Sequence, residues 1–531
     1  MRWFEPLRAT DAAFAAAAVL AVAHLVTVAL SAPEPLPQGG PVLAVVPGLL
    51  CEHAPPALDG LRCGVSEEDT EGFQTVTLDR HQDLNGELGR LRAASDRLVV
   101  QGEGVLWGAS RWPVVAETQT LDDLPQAELP GRTVVLIVLD TLRADAVADM
   151  PHLSAWSQRA RRYPNARSNG SWTLPAHASL FTGRHPREHG AHGANNEAAA
   201  RGLDGTWPTL AERLGEAGYV STGLAANRAF LGRKWGLARG FDAWHVHSLE
   251  PGNPELPYHQ GDRMVDLALQ ALEGEGARFV FVNLMEPHTP WVPRIGFTRG
   301  AIDPTLLPGG GQYGRLFQEL IGRRERDEIA QQSWRNAYAA ETRFLDAQLG
   351  RLLDGIADDA LVVVVSDHGE FLGEHDLVEH SKALYDEVLR VPVFFGGVEP
   401  GEDATSIQLD DVPDLILQEL GLPPLGVQEG LQIAELHGAR ARDARWPEVH
   451  ARTDRRLRAF AEGSRLVIRD LRTDGIEAFE AGQPSEGAWV HDLLERGQEW
   501  LESTPEWSGA WTEEPDLGPL RALGYVDGDG E

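Results

Sequence analysis

Four short runs of apolar, mostly β-branched residues constrain the fold of this chain more than any other feature: Val134–Leu139, Phe279–Leu284, Leu361–Val365 and Val391–Phe395. They are apolar at nearly every position instead of every second one, which is typical of strands buried on both faces. Helical periodicity lies between them, as in Tyr338 to Leu353. Strands that alternate with helices predict an α/β fold with a mainly parallel sheet sandwiched by helices.

Three of these four strands end in polar clusters. Asp140 directly follows the first, His288 lies four residues beyond the second, and Asp367 and His368 follow the third. Ligands of open α/β sheets bind at the carboxyl ends of the strands, so we expect the clusters to converge. Asp140 and Asp367 would repel each other unless a cation lies between them, which predicts a divalent metal with His368 as a further ligand. The alternative is that each aspartate only caps a helix.

A further segment with a candidate catalytic residue, Ser171–Gly183, lies between the first two clusters. Pro175 suits the first turn of a helix and Gly183 suits its end. Thr173 then stands at the amino terminus of that helix, where N–H groups and the helix dipole favour an anion. A hydroxyl in this position can attack a tetrahedral oxyanion if a metal lowers its pKa. The alternative is that Thr173 serves only as an N-cap.

The charge balance excludes nucleic acid as a partner. The chain has 80 acidic and 47 basic side chains and a formal net charge of −33, whereas nucleic acid and anionic lipid headgroups require a cationic footprint. Lysine is nearly absent, since Lys234 and Lys382 are the two that occur.

An apolar segment near the amino terminus, Ala12–Leu30, has the length of a membrane span, because a helix of this length rises about 28 Å. Arg2 and Arg8 precede it and no basic residue follows closely, which predicts that the amino terminus stays inside and the rest is exported. A cleaved signal peptide is the alternative. Either reading predicts an extracytoplasmic protein that is anchored in the membrane or secreted.

The only two cysteines, Cys51 and Cys63, follow this segment. In an oxidising compartment they can close a disulfide loop worth about 3 kcal/mol, although two unpaired thiols remain the alternative. Their number and spacing exclude a CxxC metal site. Short alternating stretches in the surrounding Pro- and Gly-punctuated region predict a small β-rich module.

The motifs around the predicted site occur in the order found in the sulfatase family of the alkaline phosphatase superfamily. The resemblance spans about Thr133 to Pro400 and rests on three segments: Val134–Asp145, Trp172–Pro186, and Ser366–Glu370 with the following His380–Glu387. It implies an alkaline phosphatase-like fold and activity on anionic esters. Arg456–Asp470 also resembles the carboxy-terminal strand region of the family.

The resemblance implies roles for individual side chains. Thr173 stands where the family has its nucleophile, His288 and Lys382 would contact the anionic ester, and His177 or His380 would assist the leaving group. The implied metal ligands are Asp140, Asp367, His368 and Thr173. The implied substrate-binding residues are His288, His380 and Lys382.

Two departures from the family pattern change the predicted chemistry. Family sulfatases convert Cys or Ser of a C/S-x-P-x-R motif into formylglycine, whereas this chain has Thr173 and, in place of the arginine, His177. Thr141 replaces the second aspartate of the usual pair. Both changes resemble superfamily members that use threonine directly on phosphate esters. Two-metal phosphodiesterases have a histidine four residues after an aspartate, and here Val292 follows His288 at that spacing, so one divalent ion is expected: Ca²⁺, Mg²⁺, Mn²⁺ or Zn²⁺.

The predicted organisation has four parts. Residues 1–32 form a membrane anchor or signal peptide, and 33–130 form a small, extracytoplasmic β-rich module. Residues 131–440 form a sulfatase-like catalytic domain, and 441–531 form a smaller α+β subdomain that completes the fold.

The expected function is that of an exported, metal-dependent hydrolase that cleaves sulfate or phosphate esters through Thr173. Its substrate would be an anionic ester of a glycan, a lipid or a small molecule. One alternative is a transferase that moves a phospho-group onto an envelope lipid or glycan, although such enzymes usually have several membrane spans. A second alternative is a non-catalytic, sulfatase-like binding protein. The retained site residues argue against it: Asp140, Asp367, His368, His288 and Lys382.

Overall fold

The computed structural model describes residues 127, 130–192, 200–246, 261–303, 315, 319, 327–426, 431–437 and 456–507, with gaps at 275, 292–295 and 505, and the backbone of five short strands between residues 41 and 108. Ala12–Leu30 and Cys51 lie outside the described residues, so the anchor and the disulfide stay predictions. Within the described part of the chain, no helix combines the length and the apolar character needed to cross a membrane. Two compact units, Met1–Ala116 and Glu117–Glu531, divide the chain. The predicted boundaries at residues 32, 130 and 440 stay predictions.

The first unit contains a five-stranded mixed sheet. Its strands are Pro41–Val45 (β1), Arg62–Cys63 (β2), Gln74–Thr77 (β3), Arg97–Gln101 (β4) and Leu106–Gly108 (β5). Their order is β2-β5-β4-β1-β3, in which β1 runs parallel to β3 and β4, while β5 runs antiparallel to β2 and β4. This sheet is the β-rich element that the predicted fold class includes.

The second unit contains the large sheet that positions the candidate site. In chain order the strands of the whole second unit are Val134–Leu139 (β6), Arg161–Arg162 (β7), Val220–Ala225 (β8), Ala243–Val246 (β9), Arg278–Leu284 (β10), Leu361–Val365 (β11), Phe371–Leu372 (β12), Val378–Glu379 (β13), Val393–Gly396 (β14), Gly401–Glu402 (β15), Gln432–His437 (β16), Arg456–Glu462 (β17), Arg465–Asp470 (β18), Ile476–Glu480 (β19) and Gln483–Pro484 (β20). The eight-stranded sheet has the order β15-β7-β14-β11-β6-β10-β8-β9. Strands β11, β6, β10, β8 and β9 are parallel, and β14 pairs antiparallel with β11 and β7.

All four predicted strands form, and the predicted α/β class with a mainly parallel sheet is confirmed. Every residue of β6, β10 and β11 is buried, which agrees with their apolar sequence; the polar residues among them are Arg278 and Asn283 of β10. Strands β8 and β9 had no such signal, because β8 mixes Ser, Thr and Gly with apolar residues. Gly223 is required there because a Cβ at this position would lie 2.1 Å from Trp244 of β9.

Helices alternate with the strands of the second unit along the chain. They are Pro151–Ser157 (α1), Thr173–Thr182 (α2), Pro186–His189 (α3), Leu210–Glu216 (α4), Gly261–Ala271 (α5), Glu328–Gly355 (α6), Asp386–Leu389 (α7), Val412–Glu419 (α8) and Trp489–Ser503 (α9). Helix α6 begins ten residues before the predicted Tyr338, because Asp327 caps it by accepting a hydrogen bond from the N–H of Ala330. It ends at Gly355, two residues after the predicted stretch ends at Leu353.

A second, antiparallel sheet of strands β16 to β20 carries helix α9 on one face. Phe460 and Val467 of the sheet pack against Leu493 and Leu501 of the helix in one buried cluster. This is the smaller α+β part that the fold prediction includes. Arg167 links it to helix α7, since its buried guanidinium bonds to Asp386 and also to groups of β16 and the β17–β18 turn.

Candidate active site

Thr173 is the first residue of helix α2, whose whole length is buried. The N-cap is the extended Trp172, no side chain caps the helix, and Gly183 ends it in the left-handed conformation with φ of 63°. The structure therefore excludes the alternative that Thr173 is an N-cap. Its hydroxyl lies at the positive end of the helix, where a developing negative charge is stabilised.

Asp140, Asp367 and His368 converge at the carboxyl ends of the neighbouring strands β6 and β11. All three are fully buried, and each offers a ligand atom within 4.8 Å of the others. Oδ1 of Asp367 accepts hydrogen bonds from the backbone N–H groups of Thr141, at 3.1 Å, and of His368, at 2.9 Å. These bonds join the two strand ends, and neither aspartate caps a helix.

Two oxygens of this pair have no hydrogen bond. Oδ1 of Asp140 and Oδ2 of Asp367 are buried and accept none from the described residues. Burial, together with the charge of Asp140, raises the pKa of Asp367 well above its ordinary value. Two unsatisfied buried carboxylate oxygens are costly without a cation, so the residues present fit the predicted divalent metal.

His368 is held in the tautomer that a metal ligand needs. Its Nδ1 donates to the carbonyl of Gly369 at 2.9 Å, so Nε2 carries the lone pair. Nε2 lies 3.4 Å from Oδ2 of Asp367, 3.9 Å from Oδ1 of Asp140 and 3.5 Å from Oγ1 of Thr173. Burial lowers the pKa of His368 to about 4, so the ring is neutral at pH 7.

Two asparagines that the sequence analysis missed hold the site together. Nδ2 of Asn227 donates to Oδ2 of Asp140 at 3.0 Å and to Oγ1 of Thr173 at 3.3 Å. Its Oδ1 accepts from the N–H of Phe230, which fixes the orientation of the amide. Asn283 accepts from the N–H of Asn227 and donates to Oδ2 of Asp140 at 3.4 Å. Both follow or end parallel strands at the edge where the site was expected.

Thr141, which replaces the second family aspartate, has a left-handed backbone with φ of 59°. This conformation is costly for a β-branched residue and requires support from its surroundings. Tyr338 supplies it, because its hydroxyl donates to the carbonyl of Thr141 at 3.0 Å and accepts from the N–H of Arg143 at 2.9 Å. The strained turn carries the N–H of Thr141 to Asp367.

His177 lies one helical turn after Thr173 and is fully buried. Its Nδ1 donates to the carbonyl of Thr173 at 2.9 Å and lies 3.5 Å from Oδ2 of Asp367. The ring makes edge contacts with Phe181 and Phe281. Burial lowers its pKa, so His177 is a neutral neighbour of the nucleophile and of the carboxylate pair.

His288 and His380 form a second group beside His368. The ring centroids of His380 and His368 are 4.5 Å apart, and those of His380 and His288 are 4.9 Å apart. Nδ1 of His288 is hydrogen-bonded to the carbonyl of Thr289. Burial and the neighbouring histidines lower the pKa of His380 well below its ordinary value. The cluster after β10, which contains His288, therefore lies beside the cluster that contains His368.

Lys382 reaches the same loop, but an acidic group accompanies it. Its Nζ donates to Oε2 of Glu379 at 3.0 Å and to the carbonyl of His380 at 3.1 Å. The positive charge expected from this lysine is thus partly offset. The other lysine, Lys234, lies 5.0 Å from the ring of Trp235.

Comparisons with known proteins agree with this geometry. The sequence model of the Sulfatase family matches residues 132–397, which is half of the chain. The chain is 24% identical over 356 residues to the Ulvan-active sulfatase of Formosa agariphila, with 59% of this chain and 65% of that protein covered. It is 26% identical over 348 residues to the choline-sulfatase of Rhizobium meliloti, with 53% and 66% covered. The chain thus spans just under two thirds of the length of these curated relatives.

Among solved structures, the phosphonate monoester hydrolase from Silicibacter pomeroyi resembles this chain with a TM-score of 0.54. The sequences are 18% identical, and the match covers 70% of this chain and 95% of that one. At this identity the likeness concerns the fold.

Proposed function

This chain belongs to the sulfatase family, and on that premise we propose that it hydrolyses esters of sulfate or of phosphoric and phosphonic acids with Thr173 as nucleophile. The contact that carries the proposal is the hydrogen bond from Asn227 to Oγ1 of Thr173. The same amide binds Asp140, whose other oxygen lacks a partner among the described residues. The side chain of Asn227 thus holds both the oxygen of the nucleophile and one carboxylate of the ion-binding pair.

The residues around the site have different roles in the proposed reaction. A divalent metal held by Asp140, Asp367 and His368 would supply Lewis acidity toward the nucleophile and the ester oxygens. Thr173 first loses its hydroxyl proton to solvent, and Asn227 and the amino terminus of α2 stabilise the negative charge on its oxygen. This oxygen attacks the central sulfur or phosphorus, and the bond to the leaving oxygen breaks with its electron pair on that oxygen. His288 and Lys382 bind the non-reacting ester oxygens. A histidine protonates the leaving group, and water then releases the ester formed with Thr173.

The charges around the site favour a substrate with one negative charge. Asp140 and Asp367 balance the charge of a divalent ion, and Glu379 offsets Lys382 at 3.0 Å. A dianionic phosphate monoester would therefore find less compensation than a monoanionic sulfate monoester, phosphate diester or phosphonate monoester. The names of the relatives, an Ulvan-active sulfatase, a choline-sulfatase and a phosphonate monoester hydrolase, support an ester anion as the shared element. We propose a sulfated glycan as the first substrate class to test.

The proposal includes export, for which the apolar sequence Ala12–Leu30 is the support. Fractionation of cells that produce the full chain, beside a variant without residues 1–32, tests it. Retention of both in the cytoplasm would contradict export, and release of the full chain as a shortened product would favour a signal peptide over an anchor.

The activity is tested by assaying the metal-loaded chain on aryl sulfate, phosphate monoester, phosphate diester and phosphonate monoester, with Ca²⁺, Mg²⁺, Mn²⁺ and Zn²⁺ in turn. We expect Thr173→Ala to lower kcat at least about 1000-fold on the preferred ester. Thr182→Ala, which removes a hydroxyl bonded to Ala178 in the same helix, is the matched control and should stay close to the parent.

Equal turnover by Thr173→Ala would remove the nucleophile assignment. If the metal-loaded chain turns over no ester, the hydrolase proposal fails, and the transferase and the non-catalytic binding protein become the candidates.

A further inference from the structure

Two segments beside the candidate site are buried throughout, except for one residue in each. Within residues 166–182 the exception is the half-buried Trp172, and within residues 221–231 it is the exposed Arg228. Tryptophan and arginine are the residue types that contribute most often to the energy of binding at protein surfaces. Two otherwise closed segments therefore reach solvent at two side chains that can recognise a ligand.

Both residues adjoin a group that positions the nucleophile. Trp172 directly precedes Thr173, and Arg228 directly follows Asn227, which donates to Oγ1 of Thr173 at 3.3 Å. Consecutive Cα atoms are about 3.8 Å apart, so each side chain starts one residue away from the nucleophile or its donor. The two segments also contact each other, because the rings of Trp172 and Phe230 meet edge to face with centroids 5.1 Å apart. Trp172 and Arg228 thus lie between the buried nucleophile and solvent.

The indole ring of Trp172 is supported by the site but is not enclosed by it. Phe230 contacts the ring and is itself fixed, since its N–H donates to Oδ1 of Asn227 at 3.0 Å. Among the described residues, no group accepts a hydrogen bond from the indole N–H. A sugar ring presents apolar C–H groups on its faces and hydroxyls at its rim. An aromatic face with a polar N–H at its edge matches both.

Arg228 carries a charge that no carboxylate of the described residues balances. Its exposed guanidinium makes no hydrogen bond or ion pair with them. The surrounding sequence is unusual for so acidic a chain, because no Asp or Glu occurs between Glu216 and Asp242. Four basic residues occur in that interval: Arg228, Arg233, Lys234 and Arg239. A planar guanidinium matches two oxygens of a sulfate or carboxylate group, so an anionic group outside the reacting ester can bind here.

We propose that Trp172 and Arg228 determine substrate specificity: the indole stacks on the sugar ring that carries the reacting ester, and the guanidinium binds a second anionic group of that sugar. The inference rests on the proposed function and narrows its substrate class to glycans with at least two anionic groups. The second group binds outside the carboxylate pair and Lys382, so the preference for one negative charge on the reacting ester itself is unaffected.

The role of Trp172 is tested with N-acetylgalactosamine 6-sulfate and methyl sulfate, which has the ester but no ring. Trp172→Ala should lower the ratio of kcat/KM for the sugar ester to that for methyl sulfate at least about 10-fold, mainly through KM. Trp172→Phe keeps an aromatic face and should recover part of the loss. Trp489→Ala removes another half-buried indole, on helix α9, and should leave the ratio unchanged. An unchanged ratio in Trp172→Ala would overturn the stacking role.

The role of Arg228 is tested with N-acetylgalactosamine 4,6-disulfate and its two monosulfates. The parent should prefer the disulfate at least about 10-fold in kcat/KM, Arg228→Ala should lose this preference, and Arg228→Glu should reverse it. Added salt should weaken the preference of the parent. Arg159→Ala is the matched control, because Arg159 is also exposed but precedes β7 at the amino ends of the parallel strands. A parent without the preference, or a preference that survives in Arg228→Ala, would overturn the role of Arg228.

Binding without turnover separates failure of this inference from failure of the proposed function. Calorimetric titration of N-acetylgalactosamine 4,6-disulfate into metal-loaded, full-length Thr173→Ala measures the Kd of a chain that lacks the proposed nucleophile. Adding Trp172→Ala or Arg228→Ala should raise this Kd at least about 10-fold, whereas adding Arg159→Ala should not change it. Such increases would support the inference even if the parent hydrolyses no ester. An unchanged Kd, or no binding to Thr173→Ala, would overturn it even if esters are hydrolysed.

Discussion

Asp140 and Asp367 end neighbouring strands, lie fully buried beside each other, and each retain one oxygen without a hydrogen bond from the described residues. In the absence of a cation, such a pair opposes folding, because both charges are desolvated and repel. The same pair contributes to stability once a divalent ion joins it. Removing one of the two charges should therefore raise the free energy of unfolding of the metal-free chain and lower that of the metal-bound chain.

The first prediction concerns that reversal. Asp367→Asn should stabilise the metal-free chain, by about 1–3 kcal/mol, because it relieves the desolvation and repulsion of a buried charge. The parent should gain about 2.7 kcal/mol from metal at 100 times its Kd, and the variant should gain far less. Urea unfolding with and without each metal measures both terms. Lower stability of the variant in both conditions would contradict the explanation.

The pH dependence of the metal-free chain follows from the raised pKa of Asp367. The folded state binds the proton of Asp367 more tightly than the unfolded state does. The contribution of protonated Asp367 to the free energy of unfolding is therefore complete below the ordinary pKa of about 3.9. It is lost as the pH rises through the raised pKa. The parent minus Asp367→Asn difference in unfolding free energy should therefore decline as the pH increases. A difference that does not change with pH would contradict this sign.

The sequence predicted the strands of the site because burial on both faces leaves a strong local signal. Asp140, Asp367 and His368 could be assigned because parallel strands bring their carboxyl ends to one edge, wherever they stand in the chain. Thr173 could be assigned because Pro175 and Gly183 mark the ends of its helix. These arguments need only local patterns and one topological rule.

Asn227 and Glu370 could not be assigned in the same way. An asparagine after a weakly patterned strand such as β8 has no distinguishing neighbours, and its role appears only when its two N–H groups reach Asp140 and Thr173. Oε1 of Glu370 lies 3.0 Å from Nδ1 of His380, and this contact depends on the register of a two-residue ladder. Strand β8 itself was missed because Gly223 is required by the packing of Trp244, a contact made across the sheet.

The second prediction concerns Asn227. Asn227→Ala removes the donor to the nucleophilic oxygen and one donor to Asp140, so kcat should fall about 100-fold to 1000-fold, as for the loss of an oxyanion donor. Steady-state kinetics at saturating metal measure it, and titration calorimetry reports the accompanying loss of metal affinity. Asn165→Ala removes a half-buried amide that bonds to Ala404 and Arg390, and it should change neither quantity. Unchanged kcat in Asn227→Ala would show that Thr173 does not use this donor.

The third prediction uses the pair of Lys382 and Glu379. Lys382→Ala should raise KM for the ester anion, because it removes a positive charge near the bound oxygens. Glu379→Gln should lower KM, because the same ammonium is no longer offset at 3.0 Å. Both effects should shrink as salt is added, since charge interactions that solvent reaches are screened. Shifts of KM in the same direction for the two variants would contradict the proposed binding role.

The fourth prediction concerns His185, which lies away from the active site where helix α3 meets the second sheet. Its Nδ1 accepts from the N–H of Arg187 at 3.2 Å, and its Nε2 donates to the carbonyl of Ile433 at 3.1 Å. The neutral ring satisfies both bonds, whereas a proton on Nδ1 would break the first. Burial lowers its pKa from the ordinary 6.5 to about 4.

Because the folded state binds this proton more weakly than the unfolded state, the contribution of His185 is complete above pH 6.5 and is lost as the pH falls toward about 4. A shift of this size corresponds to about 3 kcal/mol. His185→Asn keeps an oxygen that can accept from Arg187 but cannot titrate, so its unfolding free energy should fall less steeply with acid than that of the parent. His491→Gln, at an exposed position, should retain the parent slope. Urea unfolding at a series of pH values measures the difference, and equal slopes for the parent and His185→Asn would show that the neutral, two-bonded ring does not control acid stability.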